Sequence, residues 1–114
     1  MRHRKKAKFG KGTDHKRKLL RSLASSLVLY EKIVTNLKNA KAAKSYTEKL
    51  ITRAKKNTLH NHRILISKLS PMAAKKAMEV LGPKFKDRKG GYARMVKLVP
   101  RRSGNSKVLL EFVE

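Results

Sequence analysis

Positive charges outnumber negative charges in this chain far more than they do in an average protein. Its 114 residues include 31 Lys and Arg against 7 Asp and Glu, which gives a formal net charge of +24. Charge of one sign at this density repels itself and destabilises a compact state unless a polyanion neutralises it. The sequence therefore predicts a partner with many negative charges, and nucleic acids and anionic membranes are the two classes that supply them.

The length and the apolar content predict one small folded domain. A chain of 114 residues, 39% of them hydrophobic, can bury one modest core and has no room for a second. Residues 1–12 are rich in cations and hold almost nothing to bury. We therefore expect a basic extended arm at 1–12 and a single globular domain at 13–114.

Several classes of protein are disfavoured. The sequence has 0 Cys, which excludes disulfides and thiolate metal sites and is typical of the reducing cytosol. The basic start is not followed by an apolar segment, and no apolar run of about 18 residues occurs, so neither secretion nor membrane spanning is expected.

Catalysis and cofactor binding are also disfavoured. The acids are scattered singly, so no pair is placed for acid–base work or for holding magnesium. His60 and His62 would point to nearly opposite sides of a helix, which favours surface or packing roles over zinc binding. We expect no enzyme, no metal site, no cofactor and no small-molecule substrate.

Four helices are predicted from apolar residues at helical spacing. The first is capped by Thr13 or Asp14 and carries Leu20, Leu23, Leu27 and Tyr30 on its apolar side; the second covers 37–56, with Ala40, Ala43, Leu50, Ile51 and Ala54 inside. The third follows the cap Thr58 and carries Leu59, Leu65, Ile66 and Leu69; the fourth follows Ser70-Pro71 and carries Ala73, Ala77, Val80 and Leu81.

Three short strands complete the prediction. Residues 32–36 are β-branched at their centre, and residues 92–99 and 107–114 alternate with the period of a strand. The last two are expected to form an antiparallel hairpin, with the strand after Gly91 at the centre of the sheet. The fold class is therefore α+β, with about four helices packed against a small three-stranded sheet.

The stretch 81–97 contains a basic turn, which we define as residues 84–92. Gly82 before Pro83 predicts that the fourth helix stops and the chain turns there, because glycine adopts the left-handed conformation readily and proline lacks an N–H. Cations then surround Gly90-Gly91, whose missing Cβ atoms allow a ligand to approach closely. This combination suits phosphate, and the turn is expected to have its bound shape before a polyanion binds. Tyr92 could stack on a base or cover the sheet.

The candidate residues for nucleic-acid contacts lie in four parts of the chain, and those that do not belong to the family motifs described below are chosen by charge and position alone. In the arm they are Arg2, His3, Arg4, Lys5, Lys6, Lys8 and Lys11, and in the first helix they are His15, Lys16, Arg17 and Arg21. Around the basic turn they are Lys84, Lys86, Arg88, Lys89, Gly90, Gly91, Tyr92 and Arg94, and Arg101 and Arg102 follow in the connection between the last two strands.

Four groups of residues, in order along essentially the whole chain, resemble a known family. They are Met1-Arg2-His3-Arg4-Lys5; Ser26-Leu27 with Glu31-Lys32-Ile33; Leu50-Ile51-Thr52 with Ala54-Lys55; and Leu81-Gly82-Pro83 with Phe85, Arg88, Gly90, Gly91, Tyr92 and Arg94. This pattern is similar to that of ribosomal protein seventeen of the bacterial large subunit.

The resemblance implies an α+β protein that binds large-subunit ribosomal RNA in the cytoplasm, near the exit of the peptide tunnel. It implies that Arg2, His3, Arg4 and Lys5 lie in RNA and that Arg88, Gly90, Gly91, Tyr92 and Arg94 border it. Neighbouring ribosomal proteins are implied as partners, with protein thirty-two as one candidate.

Two other functions fit the charge. A nucleoid protein that compacts DNA is one, because electrostatic binding does not depend on nucleic-acid sequence. A cationic protein of the membrane surface is the other, but it would need a helix with a wide exposed apolar face, and the apolar stripes here are no wider than a core requires. We therefore rank the membrane last.

Overall fold

The computed structural model describes residues 12–98 and 107–113. Its helices are α1 (Gly12–Tyr30), α2 (Leu37–Ala54), α3 (Leu59–Lys68) and α4 (Pro71–Lys76), and α4 continues through a π-helical turn (Ala77–Leu81) into a short helix, α5 (Gly82–Lys84). The strands are β1 (Lys32–Asn36), β2 (Ala93–Lys97) and β3 (Lys107–Phe112). The predicted α+β fold is confirmed, while the arm lies almost wholly outside the described residues.

Side-chain caps start three of the helices. Asn61 N donates to the Thr58 hydroxyl and Ala73 N donates to the Ser70 hydroxyl, so both predicted caps are confirmed. The side chain of Asn36 caps α2 in the same way, directly after β1. Helix α1 begins at Gly12, which places the predicted caps Thr13 and Asp14 inside its first turn.

The sheet is antiparallel, with the strand order β1-β3-β2. The hairpin of the last two strands and the pairing of the first strand with them are confirmed. The prediction that the strand after Gly91 is central was wrong, because β3 holds that place. The central position gives β3 a hydrogen-bonded neighbour along each edge. It suits the most apolar of the three strands, in which Val108, Leu110 and Phe112 are all buried.

The helices pack on one face of this sheet around a core rich in alanine. The predicted inner face of α2 is confirmed, since Ala40, Ala43, Leu50, Ile51 and Ala54 are all buried. Leu27, Leu65, Leu69, Ala73, Ala77 and Leu81 are also buried as predicted.

Four predicted core residues are instead exposed. The exposed fractions of Tyr30, Leu59, Ile66 and Val80 are 72%, 64%, 40% and 48%, respectively. Tyr30 is the last residue of α1 and Leu59 is the first residue of α3, and both of these helix ends lie outside the core. Helical spacing alone therefore overestimated the width of the buried stripe.

Gly82 does not stop the helix. Its φ of −54° and ψ of −56° are right-handed helical values, and the helical run ends only after Lys84. A Cβ atom at Gly82 would lie 2.6 Å from the carbonyl oxygen of Ala54. The glycine is thus needed for close packing against α2 and not for a left-handed turn. The prediction that the chain turns at Gly82 was wrong.

Candidate nucleic-acid interface

The basic turn is held between two buried aromatic residues. The ring of Phe85 lies 5.3 Å from that of Tyr92 and 5.9 Å from that of Phe112, measured between centroids. Phe85 is 2% exposed and Tyr92 is 1% exposed. Of the two roles left open for Tyr92, the structure shows that its ring packs in the core.

Lys55, the residue that caps the C-terminal end of α2, fixes the turn. The Lys55 ammonium group donates to the backbone carbonyl of Arg88 and to the phenolic oxygen of Tyr92, the latter at 2.9 Å. Thr52 Oγ1 lies 3.4 Å from the same phenolic oxygen. These bonds join both ends of the segment 88–92 to one helix.

The surroundings of Tyr92 also change its acidity. Burial raises the pKa of the phenol, but the hydrogen bonds from Lys55 and Thr52 and the positive charge of Lys55 lower it more, against a small opposing effect of Glu48. The net pKa therefore lies below the ordinary value of 10.0.

The outer part of the turn carries cations beside bare backbone. Lys86, Arg88 and Lys89 are exposed, as are Gly90 and Gly91. Gly91 has a φ of +64°, a left-handed value that glycine adopts without strain. The structure thus brings these five predicted residues together on one surface.

Lys84 at the start of the basic turn and Arg94 just after its end are held by acids. Arg94 NH2 lies 2.6 Å from Glu111 Oε1, and Arg94 Nε donates to the same oxygen at 2.7 Å. Lys84 Nζ lies 3.8 Å from Glu31 Oε1. Both side chains keep enough exposure to contact a ligand, although part of their charge is already neutralised.

The predicted cations of α1 form a separate group. His15 and Arg17 are exposed, and Lys16 is partly exposed. Arg21 donates from its guanidinium group to the carbonyl of Leu69 at 3.0 Å, so it also joins α1 to the end of α3. About 20 Å of helix separates Arg17 from the end of α1, where Glu31 contacts Lys84.

The remaining predicted residues lie outside the described part of the chain. These are the arm residues Arg2, His3, Arg4, Lys5, Lys6, Lys8 and Lys11, together with Arg101 and Arg102.

One side of α2 borders the basic turn and was not among the predicted site residues. Ser45, Glu48, Lys49 and Thr52 line an open depression of about 280 Å³ together with Gly90, Gly91 and Tyr92. Their spacing of three and four residues places the α2 members on one helix face. That spacing was the available signal, but only the fold shows that this face meets the glycines.

The part of the chain that the structure describes contains neither a metal site nor a membrane-spanning helix. Within residues 12–98 and 107–113, no three His, Cys, Asp or Glu residues are grouped so that they could hold a metal ion. None of the helices there is both long and apolar enough to cross a bilayer.

Comparison with known proteins identifies the family. The family model described as ribosomal protein L17 matches residues 19–113. The large ribosomal subunit protein bL17 of Sulfurihydrogenibium sp. (strain YO3AOP1) is 44% identical over 118 aligned positions, covering 100% of this chain and 98% of the relative. The bL17 of Hydrogenobaculum sp. (strain Y04AAS1) is also 44% identical, with 100% of both chains covered.

A third relative gives the same result. The bL17 of Wolbachia pipientis wMel is 43% identical over 96% of this chain and 80% of its own length. The resemblance seen in the sequence is confirmed, and the chain belongs to the ribosomal protein L17 family.

Proposed function

We propose that this protein is a structural constituent of the large ribosomal subunit that binds large-subunit ribosomal RNA in the cytoplasm. The observation that carries the proposal is the exposed cationic turn, Lys86 to Gly91, fixed to α2 in a chain with a net charge of +24. Membership of a ribosomal protein family supports a structural role and argues against an enzyme.

Two RNA contacts are proposed. One is the basic arm at 1–12 together with the cations of α1 that follow it in the chain, and the other is the basic turn with its neighbour Arg94. Lys and Arg neutralise phosphates and release counterions, so the affinity for RNA falls steeply with salt. The turn needs little ordering on binding, because Lys55, Phe85 and Tyr92 already fix it.

The place within the ribosome is proposed from the resemblance alone. It puts the protein near the exit of the peptide tunnel among other ribosomal proteins, with protein thirty-two as a candidate neighbour. Crosslinking in assembled subunits tests this placement, and crosslinks only to proteins distant from the tunnel exit would contradict it.

Matched charge variants test the role of the turn. Replacing Lys86, Arg88 and Lys89 with Gln removes three charges from the turn, whereas replacing Lys41, Arg63 and Lys68 with Gln removes three from exposed sites on α2 and α3. We expect the first variant to bind large-subunit RNA more weakly, with a salt slope lower by about 1 for each lost phosphate contact. Equal loss in both variants would contradict a localised contact.

The nucleoid alternative is tested with the same protein. Binding to folded large-subunit RNA is compared with binding to duplex DNA of equal length at the same salt concentration. Preference for the RNA supports the proposal, and equal affinity would favour a non-specific DNA-binding protein. If the protein sediments separately from large subunits in a cell lysate at moderate salt, the proposal is overturned.

The arm is tested by removing residues 1–11, which leaves the start of α1 intact. We expect weaker incorporation into large subunits with unchanged helical content. Loss of helical circular dichroism would show that the segment supports the fold.

A further inference from the structure

Nothing in the described part of the protein requires a glycine at position 90. A Cβ atom built there meets no other atom within 4 Å, and its φ lies outside the left-handed region. Neither crowding nor backbone conformation therefore requires glycine at this position, in contrast to Gly82 and Gly91. A residue without a side chain at an exposed position leaves its backbone open to something outside the chain.

The backbone of this turn can bind an anion. Within the described residues, the amides of Gly90 and Gly91 donate to no protein acceptor. Both residues are exposed, and they border the depression that Lys49 also lines. Free amides beside an ammonium group are the donors that a phosphate oxygen needs.

Glu48 adds an acceptor to the same depression. Its Oε2 accepts from Ala93 N at 3.3 Å, while its Oε1 is 4.0 Å from Lys44 Nζ, which is beyond hydrogen-bond distance. A carboxylate repels phosphate but accepts strongly from a hydroxyl group. The ribose 2′-hydroxyl is the donor that RNA has and DNA lacks.

We propose that the depression between α2 and Gly90-Gly91 binds one unpaired ribonucleotide of ribosomal RNA. Its phosphate contacts the two glycine amides and Lys49, and its 2′-hydroxyl donates to Glu48. The ribonucleotide is unpaired because its sugar must enter between a helix and a turn, which the backbone of a regular duplex cannot do. This inference rests on the proposed RNA-binding function and adds a specific site to it.

The first test uses Gly90→Ala. The added methyl group occupies open space and restricts the unfolded chain, so thermal stability stays equal or rises. It also blocks close approach of the phosphate, so the affinity for large-subunit RNA falls about fivefold or more, as expected for loss of a charge-assisted hydrogen bond. Lys49→Met weakens binding as well, whereas Lys41→Met, which removes the same charge from an exposed site on the same helix, has a smaller effect.

The second test concerns the sugar. Single-stranded oligonucleotides of one sequence, as RNA and as DNA, are compared for the unmodified protein and for Glu48→Gln. We expect the ratio of RNA to DNA affinity to fall, because loss of the negative charge weakens the bond to the 2′-hydroxyl, which DNA lacks, while the change in net charge acts on RNA and DNA alike. Glu79→Gln removes a charge from an exposed position of the π-helical turn and leaves the ratio unchanged.

The outcomes separate this site from the general function. If the unmodified protein fails to bind large-subunit RNA, the proposed function itself fails. If it binds, but Gly90→Ala and Glu48→Gln behave like the unmodified protein, the nucleotide site is wrong while RNA binding stands. A fall in the ratio of RNA to DNA affinity for Glu48→Gln, with no such fall for Glu79→Gln, supports the site, whereas a gain in DNA affinity alone reflects only the changed net charge.

Discussion

The ammonium nitrogen of Lys55 lies 2.9 Å from the phenolic oxygen of Tyr92 and 5.1 Å from the centroid of its ring. The same ammonium group also binds the carbonyl of Arg88. One side chain at the C-terminal cap of α2 thereby fixes the segment that carries the exposed glycines. Lys55 acts as a positioning residue, since its charge is used inside the protein.

Lys55→Met should loosen the basic turn without unfolding the domain. We expect a loss of about 1 kcal/mol in the free energy of unfolding, the usual worth of partly exposed hydrogen bonds. Amide exchange in residues 88–92 should accelerate more than exchange in α2. Lys56→Met serves as the control, because it removes an adjacent exposed charge; equal exchange in both variants would count against the positioning role.

Gly82→Ala should destabilise the fold, because the new Cβ atom would lie 2.6 Å from the Ala54 carbonyl oxygen. Overpacking against backbone costs about 1–3 kcal/mol. Chemical denaturation measures the loss, and Gly90→Ala provides a glycine-to-alanine control in open space. A Gly82→Ala protein as stable as the unmodified one would show that α2 and α5 can separate freely.

Glu31 adopts a φ of +64°, which is strained for a residue with a side chain. Its carboxylate lies 3.4 Å from Lys76 Nζ and 3.8 Å from Lys84 Nζ, but the side chain is 47% exposed, so these ion pairs contribute little. We expect Glu31→Gly to be more stable than Glu31→Ala by about 1 kcal/mol, because only glycine relieves the strain. Thermal unfolding of the two variants tests this order.

Within the described residues, the hydroxyl of Thr47 is buried with no hydrogen-bond partner. Thr47→Val replaces that hydroxyl with a methyl group of similar size, so we expect a gain of about 1 kcal/mol. Thr47→Ser keeps the hydroxyl and removes the methyl group, and it should lose stability. A loss on Thr47→Val would indicate that the hydroxyl has a partner in solution.

Alkaline titration should distinguish two tyrosines. Burial raises the pKa of Tyr46, against a smaller lowering by Arg21, whereas the pKa of Tyr92 is lowered overall by Lys55 and Thr52. Tyr92 should therefore ionise at lower pH than Tyr46. Absorbance of the phenolate in the unmodified protein, Tyr46→Phe and Tyr92→Phe assigns the two steps, and the reverse order would contradict these environments.

These shifts have opposite consequences for stability. The raised pKa of Tyr46 gives a stabilising contribution that is complete below pH 10 and lost as the pH rises through its folded pKa. The lowered pKa of Tyr92 contributes only in alkaline solution, fully above pH 10.0, and the contribution disappears as the pH falls through its folded pKa.

The sequence predicted those parts of the fold that depend on local chemistry. Caps such as Thr58 and Ser70 and the alanine face of α2 follow from neighbouring residues alone. The role of Gly82 could not be predicted, because the atom that excludes a side chain belongs to Ala54 on another helix. The local sequence pattern predicted that the glycine ends the helix, whereas the contact with Ala54 shows that it is needed for packing.

The candidate site was likewise only partly predictable from the sequence. Cations and glycines of the turn were visible as a cluster in sequence. Ser45, Glu48 and Lys49 were hidden among the many polar residues of α2, since nothing local distinguishes the face that meets Gly90 from the others. The burial of Tyr92 was equally open, because an aromatic residue beside a basic loop suits either a core or a base stack.

The contact of Gly82 with the Ala54 carbonyl has a consequence for how this chain can evolve. The distance between α2 and the start of the basic turn is set by main chain against main chain, and side-chain size does not enter it. Surface lysines that, unlike Lys55, do not bond to the turn can therefore be gained or lost without moving it. Such a scaffold separates shape from charge, so charge can be adjusted to a different RNA surface while the geometry that presents it stays constant.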